Sequence, residues 1–263
     1  MRLGFIGAGN MAQAMIGGIL AKEIVKKEDI IASAATQNTI DKVAKEFGIN
    51  VTLDNREVAK ADIVFLAVKP FYYEEVIDGI KDVVDEKQLI ISVAAGKSVE
   101  WVENAFGGKK KIVRIMPNTP ALVGEAVTAI CPNANITDGE KQEIVELIAS
   151  FGLAQIVSEK IMDAVIAVSG SSPAYVFMFI EAMADAAVAE GMPRVQAYQF
   201  AAQSVLGSAK MVLKTGKHPG ELKDMVCSPS GTTIEAVKVL EEKGFRSSII
   251  EAMSACADKS RNM

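Results

Sequence analysis

Arg2-Leu3-Gly4-Phe5-Ile6-Gly7-Ala8-Gly9-Asn10-Met11-Ala12 decides the architecture of the first half of this chain. A short apolar run over 2–6 reads as a buried strand, and the stretch 10–21 reads as a helix. Between them Gly7-Ala8-Gly9-Asn10-Met11-Ala12 fits G-x-G-x-x-G/A. The glycines have separate uses. Gly7 permits a tight turn, Gly9 lets the backbone approach a pyrophosphate, and Ala12 lets helix and strand pack closely. The helix start adds unpaired N–H groups and the positive end of a dipole. A glycine turn without a ligand is the plain alternative. The strand before it and the helix after it favour a dinucleotide, with Gly7, Ala8, Gly9, Asn10 and Met11 as its candidate contacts.

Outward from that unit the pattern repeats. Strands are expected at 29–33, 63–68, 89–94 and 111–116, and helices at 39–47, 74–84 and 98–106. The run Ile63-Val64-Phe65-Leu66-Ala67-Val68 is apolar throughout, as in a strand covered on both faces. Such alternation requires right-handed crossovers and predicts a doubly wound, mostly parallel sheet of the α/β class. Two further strands, near 126–131 and 155–157, flank a helix at 138–151.

Near residue 160 the alternation stops. Helices are expected at 162–168, 174–190, 194–214, 219–226 and 233–243, broken at Gly170-Ser171-Ser172-Pro173, Gly191-Met192-Pro193, Gly216-Lys217-His218-Pro219 and Ser228-Pro229-Ser230-Gly231. The stretch 174–189 is apolar almost all round, which places it in a large core or at a subunit contact. The expected organisation is a dinucleotide-binding domain at 1–160 and an all-α domain at 161–263, interlocked with a second copy.

Composition removes other classes. The 263 residues carry a net charge of −5, half are hydrophobic and 23% are charged. Mean hydropathy is +0.24, high enough for a fully covered sheet or a large subunit contact. An acidic chain has no electrostatic footprint for nucleic acid, and Lys109-Lys110-Lys111 reads as a solvated loop. No apolar stretch approaches the ~18 residues of a membrane span, so no membrane partner is expected. Glycines interrupt the first apolar run and no cleavage site follows, so a secretory leader is not expected. Cys131, Cys227 and Cys256 are far apart and outside any CxxC, which suits reduced thiols in a cytoplasmic protein. The single histidine, His218, cannot build a metal centre, and no metal is expected.

In open α/β sheets, ligands lie beyond the carboxyl ends of the strands. After the second strand comes Ser33-Ala34-Ala35-Thr36-Gln37-Asn38, with no carboxylate to bind a ribose 2′-hydroxyl or to repel a 2′-phosphate. Ser33, Thr36 and Asn38 can donate to such a phosphate, although no arginine stands there. NADP (as NADPH) is therefore favoured, with NAD (as NADH) also open. Ala67, Val68, Lys69 and Pro70 close the third strand and offer backbone to the cofactor. Ala94-Ala95-Gly96 is small enough for a flat ring to come close to Ala95. Asn118 and Thr119 in Met116-Pro117-Asn118-Thr119-Pro120 either touch nicotinamide or substrate, or cap the turn.

Ser228-Pro229-Ser230-Gly231-Thr232-Thr233-Ile234-Glu235 is the second informative stretch. Small polar residues lead into a helix, and Thr232 and Glu235 have the spacing of a capping box. Such a start suits a carboxylate, or is simply a well-capped helix. The stretch 222–237 around it resembles the signature of pyrroline-5-carboxylate reductase. So, in order along the chain, do Gly7 to Ala12, Phe65 to Pro70, Pro117 to Pro120, Ser169 to Tyr175 and Gly244-Phe245-Arg246. The resemblance implies an N-terminal Rossmann domain, a C-terminal helical dimerisation domain, and reduction of 1-pyrroline-5-carboxylate to L-proline by NAD(P)H. It further implies that Asn55 and Ala67 to Pro70 contact cofactor. Ser228, Gly231, Thr232 and Thr233 would hold the substrate carboxylate, with Thr233 near the ring nitrogen. The dimer partner would supply that loop, and larger oligomers of dimers are compatible with it. Met225 stands where some members carry Asn, and Ser230 where many carry Gly.

That reaction asks little of side chains. A protonated cyclic imine is already electrophilic, so the protein must place it against a hydride donor and exclude water. Thr233 is the candidate catalytic residue, orienting the ring nitrogen more than acting as an acid. A β-hydroxyacid dehydrogenase-like enzyme is the alternative oxidoreductase, but Ser169-Gly170-Ser171-Ser172 stands where that family expects a lysine. A dinucleotide-sensing binding protein is the non-enzymatic alternative.

Overall fold

The computed structural model describes Met1–Asn262. The chain forms two compact units, Met1–Ser171 joined by the chain end from Cys256 onward, and Ser172–Ala255.

In the first unit the expected alternation is present. β1 (Leu3–Ile6), α1 (Asn10–Ala21), β2 (Ile30–Ser33), α2 (Gln37–Phe47), β3 (Asn50–Thr52), α3 (Asn55–Val58), β4 (Ile63–Leu66), α4 (Tyr73–Ile80), β5 (Leu89–Ser92), α5 (Val99–Ala105) and β6 (Lys111–Met116) follow one another. Then come β7 (Ala126–Pro132), α6 (Asp138–Ile148), β8 (Gly152–Ile156) and α7 (Met162–Val165). β3 and α3 were not among the expected elements. The eight strands form one sheet in the order β3-β2-β1-β4-β5-β6-β7-β8. All neighbours are parallel except β6 and β7.

Central strands are apolar on both faces because helices cover both. Leu3 and Phe5 face a core with Met15, Ile16 and Ile19 of α1 and Ile144 and Leu147 of α6. Ile6, Val64 and Leu66 face a second core with Tyr73, Ile77 and Ile80 of α4. Phe5 and Phe65 are register partners on adjacent strands, and their rings stack with centroids 4.4 Å apart. With β1 fixed between β2 and β4, its carboxyl end and theirs open at the same edge, where a doubly wound sheet takes ligands.

The second unit is helical: α8 (Ser172–Ala189), α9 (Arg194–Thr215), α10 (Pro219–Val226), α11 (Thr232–Glu242) and most of α12 (Phe245–Arg261). α12 was not among the expected elements. Few side chains of this unit are buried. Phe177 is 62% exposed, Phe200 67% and Leu213 78%. The stretch Glu159–Ala189 is, by length and composition, apolar enough to cross a membrane, and only 11% of its most apolar window is buried. This corrects the expectation that no apolar stretch approaches the length of a membrane span. Asp163, Glu181 and Asp185 interrupt the runs, and a windowed average passes over them.

Candidate active site

The turn after β1 is built by close approach. Gly7 has φ +97°, and its N–H donates to the Ser33 carbonyl at 3.1 Å. A Cβ on Gly7 would meet the Ala67 carbonyl oxygen and Val68 Cγ1, both at 2.8 Å. Three strand ends therefore converge on one backbone position that only glycine can occupy.

Gly9 is different. Its φ of −75° suits any residue, and a Cβ there would meet nothing within 4 Å. The protein's own packing does not require this glycine, whereas a ligand lying against the backbone would. Gly9 is the N-cap of α1 and brings no side-chain cap, and the first turn holds no acidic residue. The first-turn N–H groups, which no intrahelical carbonyl reaches, face outward with the positive end of the dipole. Gln13 Nε2 donates to the Ala8 carbonyl at 2.7 Å, which turns that acceptor back toward the helix. This cradle fits a pyrophosphate.

Ser33 is fully buried, and its hydroxyl donates to Asn55 Oδ1 at 2.6 Å. That proton is committed, so of this pair the remaining side-chain donor is the Asn55 amide nitrogen. Asp54 holds the start of α3 by accepting from the Arg56 N–H at 2.8 Å. Beyond β2, Thr36 caps α2 by accepting from the Thr39 N–H, no acidic residue occupies the first turn, and Asn38 is exposed. Lys69 is exposed, and Pro70 opens a short 3-10 turn through Tyr72.

Next to that turn lies Tyr73, which sequence reasoning missed. Its hydroxyl donates to the Leu66 carbonyl at 2.5 Å and accepts from the Val93 N–H at 3.1 Å. Burial pushes its pKa up to about 12, against smaller opposing effects from Ser92, Val93, Ala94 and the Arg114 charge. The spacing of Tyr73, Ile77 and Ile80 on the buried stripe of α4 was the available signal.

Ala95 follows β5 and packs on a small cluster with Met116, Cys131 and Met162. Asn118 is buried, with Nδ2 donating to the Ser169 carbonyl and Oδ1 accepting from the Val127 N–H, both at 3.0 Å. Both ends of that amide are engaged within the protein, as in a structural cap, and one Nδ2 hydrogen remains. Thr119 is exposed at the start of a 3-10 turn. A second missed feature is Arg114 of β6, buried, with Nη1 2.8 Å from Glu159 Oε1. Burial also raises the Cys131 thiol to about 11, with Glu159 adding to the rise and Arg114 opposing it.

The other candidate residues lie in the helical unit, before α11. The Gly231 N–H donates to the Ser228 carbonyl at 3.0 Å, and Ser230 takes φ +57°. A Cβ on Gly231 would sit 2.3 Å from Ser228 Oγ. The expected capping box of Thr232 and Glu235 does not form. The N-cap is Gly231, without a side-chain cap bond, because the turn delivers Gly231 in extended backbone and makes Thr232 the first helical residue. The first N–H groups of α11 are left without a side-chain acceptor. Ser228 and Thr232 are exposed, and Thr233 is half-buried. His218 is a helix cap, its Nδ1 accepting from the Gly220 N–H at 3.0 Å.

Comparison with known proteins adds an independent line. Residues 159–263 match the family model for pyrroline-5-carboxylate reductase dimerisation, and residues 2–96 match one described as NADP oxidoreductase, coenzyme F420-dependent. The pyrroline-5-carboxylate reductase of Escherichia coli (strain K12) is 51% identical over 263 residues, covering 100% of this chain and 98% of that protein. The solved pyrroline-5-carboxylate reductase of Coxiella burnetii superposes with a TM-score of 0.92 at 35% identity, covering 99% of this chain and 97% of that one. The pyrroline carboxylate reductase of Plasmodium falciparum, solved with NADP bound, superposes with a TM-score of 0.90 at 34% identity, covering 100% and 97%.

Proposed function

This chain belongs to the pyrroline-5-carboxylate reductase family, and on that premise we infer that it is an NAD(P)H-dependent oxidoreductase. It reduces 1-pyrroline-5-carboxylate to L-proline, the last step of proline biosynthesis. The carrying observation is 51% identity to a named reductase along the entire length.

NADPH is the cofactor, with its pyrophosphate over Gly9 and the first turn of α1, between Ala8 and Met11. Support comes from the open space at Gly9 and from the absence of a carboxylate in the first turn of α2. The Asn55 amide and the backbone from Ala67 to Pro70 line the same edge, and Ala95 lies at its nicotinamide end. NADH use at a lower kcat/KM is compatible with this surface.

Reduced nicotinamide, when bound, supplies the hydride. The chain supplies placement. The uncapped start of α11 and the hydroxyls of Ser228 and Thr232 hold the substrate carboxylate, where backbone N–H groups and the dipole favour an anion. Thr233 hydrogen-bonds the ring nitrogen and fixes the orientation of the C=N bond. Holding the reacting atoms in a near-attack geometry is the main source of rate.

The wet apolar side chains of α8 and α9 support homodimerisation through these helices, and the charged residues Asp163, Glu181 and Asp185 within the apolar stretch favour a protein partner over lipid. Assembly of dimers into a higher oligomer and a cytoplasmic location belong to the same proposal, the latter supported by three free cysteines.

NADPH oxidation followed at 340 nm with 1-pyrroline-5-carboxylate tests the reading, with a 2-hydroxy acid and NADP as control. Turnover of the pyrroline alone is expected. Turnover of the hydroxy acid alone would move the protein to the dehydrogenase class, and NADPH binding with neither activity would make it a sensor.

A further inference from the structure

The loop between β5 and α5 is held at both ends by side chains from outside it. At its start the Val93 N–H donates to the Tyr73 hydroxyl at 3.1 Å. At its end the Val99 N–H donates to Glu159 Oε1 at 2.9 Å. The same Glu159 oxygen receives Arg114 Nη1 at 2.8 Å. Between those two clamps run Ala94, Ala95, Gly96, Lys97 and Ser98, with Gly96 at φ +74°.

Arg114 rises from the middle of the sheet, is 7% exposed, and pairs with Glu159 alone among the described residues. Its Nε has no hydrogen-bond partner. A guanidinium stays charged at any working pH, so one carboxylate holds it in place. Charge-assisted bonds of this kind are stronger than neutral ones. Gly96, Ser98 and Arg114 also line one cavity of about 220 Å³ with Asp163 and Ser260. Glu159 leads into α7, whose Met162 packs in the cluster that Ala95 joins. Arg114 therefore fixes Glu159, Glu159 fixes the start of α5, and the backbone of Ala95 and Gly96 is set from its far side.

We propose that Glu159 and Arg114 are positioning residues for hydride delivery: through the Val99 N–H they fix the Ala95-Gly96 backbone against the nicotinamide end of the bound cofactor. This rests on the cofactor placement given above. Neither residue touches the reacting atoms. Their effect is on the height and tilt of the surface behind the ring, where displacement by about 1 Å lowers rate by as much as 100-fold.

The test uses the full-length enzyme with Glu159→Ala, Glu159→Gln and Arg114→Lys. Glu159→Ala is expected to lower kcat by about 10–100-fold, with KM for both substrates held within about threefold. Glu159→Gln keeps an oxygen for the Val99 N–H but takes the carboxylate from the buried Arg114 guanidinium, and is expected to recover part of that loss. Hydrogen–deuterium exchange over residues 93–99 is read with and without NADPH. Protection on NADPH addition is expected in the wild type and not in Glu159→Ala. If Glu159→Ala does not accumulate, the same readings on Arg114→Lys decide. Wild-type kcat with unchanged exchange overturns the proposal. So does a parallel loss of kcat, affinity and thermal stability that glutamine fails to rescue, or an absence of NADPH protection in the wild type. A wild type that shows the exchange pattern but does not reduce the pyrroline overturns the reaction and leaves the positioning standing.

Discussion

The Tyr73 hydroxyl meets the Leu66 carbonyl at 2.5 Å, so the last residue of β4 is capped by the first residue of α4. Because the same hydroxyl accepts from Val93, the carboxyl ends of β4 and β5 share one polar atom. Tyr73→Phe takes that partner from a buried carbonyl and a partly buried N–H, which still bond each other at 3.3 Å. A loss of about 0.5–1.5 kcal/mol in stability is expected by urea denaturation. The tyrosine also gives a pH signature. Its folded pKa is raised by burial to about 12, so folding favours the neutral form and stability falls as pH rises from the ordinary tyrosine value of about 10 through 12. In tyrosinate absorbance, a component near pH 12 present in the wild type and absent in Tyr73→Phe is expected. The same titration in both proteins would contradict the assignment.

Two glycines in one turn should respond oppositely. Gly7→Ala forces a side chain into a left-handed backbone and within 2.8 Å of the Ala67 carbonyl. A destabilisation of about 1–3 kcal/mol or more is expected in thermal melts. Gly9→Ala meets no protein atom, so the melt should be unchanged while NADPH affinity drops by about tenfold, near 1.4 kcal/mol. Calorimetric titration separates the two, and tight NADPH binding by Gly9→Ala would remove the pyrophosphate from that position.

Ser230 sits at φ +57° without being glycine. Left-handed backbone costs a residue with a Cβ about 1–2 kcal/mol, and glycine entropy offsets part of the relief. Ser230→Gly should raise stability by about 0.5–1 kcal/mol in chemical denaturation. It should also raise KM for the pyrroline, since the turn before α11 becomes freer. A destabilised variant would mean the Ser230 side chain holds the loop by contacts worth more than the strain.

Thr233→Ala removes the hydroxyl proposed to orient the ring nitrogen. Steady-state kinetics should show kcat/KM lowered by about 10–1000-fold, equivalent to about 1.4–4 kcal/mol. Thr233→Ser should keep most of the activity. Full activity in the alanine variant would assign orientation to backbone alone.

Cofactor choice follows from the missing carboxylate after β2. A higher kcat/KM for NADPH than for NADH is expected, and a strong NADH preference would require a donor other than the start of α2 to explain it.

Features whose causes are local were legible in the sequence. β1 and β4 are apolar runs, and the roles of Gly7 and Ala12 follow from a turn and a helix that are contiguous with β1. β3 escaped because Asn50-Val51-Thr52 is a three-residue edge strand with one hydrophobic residue, and α3 because it is a single turn. α12 carries serines and charges among its apolar residues and shows no clean stripe. The capping box was misread by one position, since only the turn geometry shows that Gly231 and not Thr232 takes extended backbone. Partnerships across the sheet were hidden for a different reason. Asn118 is satisfied by Ser169, 51 residues away, and Arg114 by Glu159, 45 residues away. Spacing along the chain says nothing of such pairs, although an arginine inside the otherwise apolar β6 was a visible anomaly.

If the proposed homodimer forms through them, helices that expose Phe177, Phe200 and Leu213 tie this protein's survival to its abundance. When a partner binds only the folded chain, mass action adds to the free energy of unfolding in proportion to the logarithm of protomer concentration. Melting temperature should therefore climb as the solution is made stronger, and dilution alone should inactivate the enzyme even with every catalytic group intact.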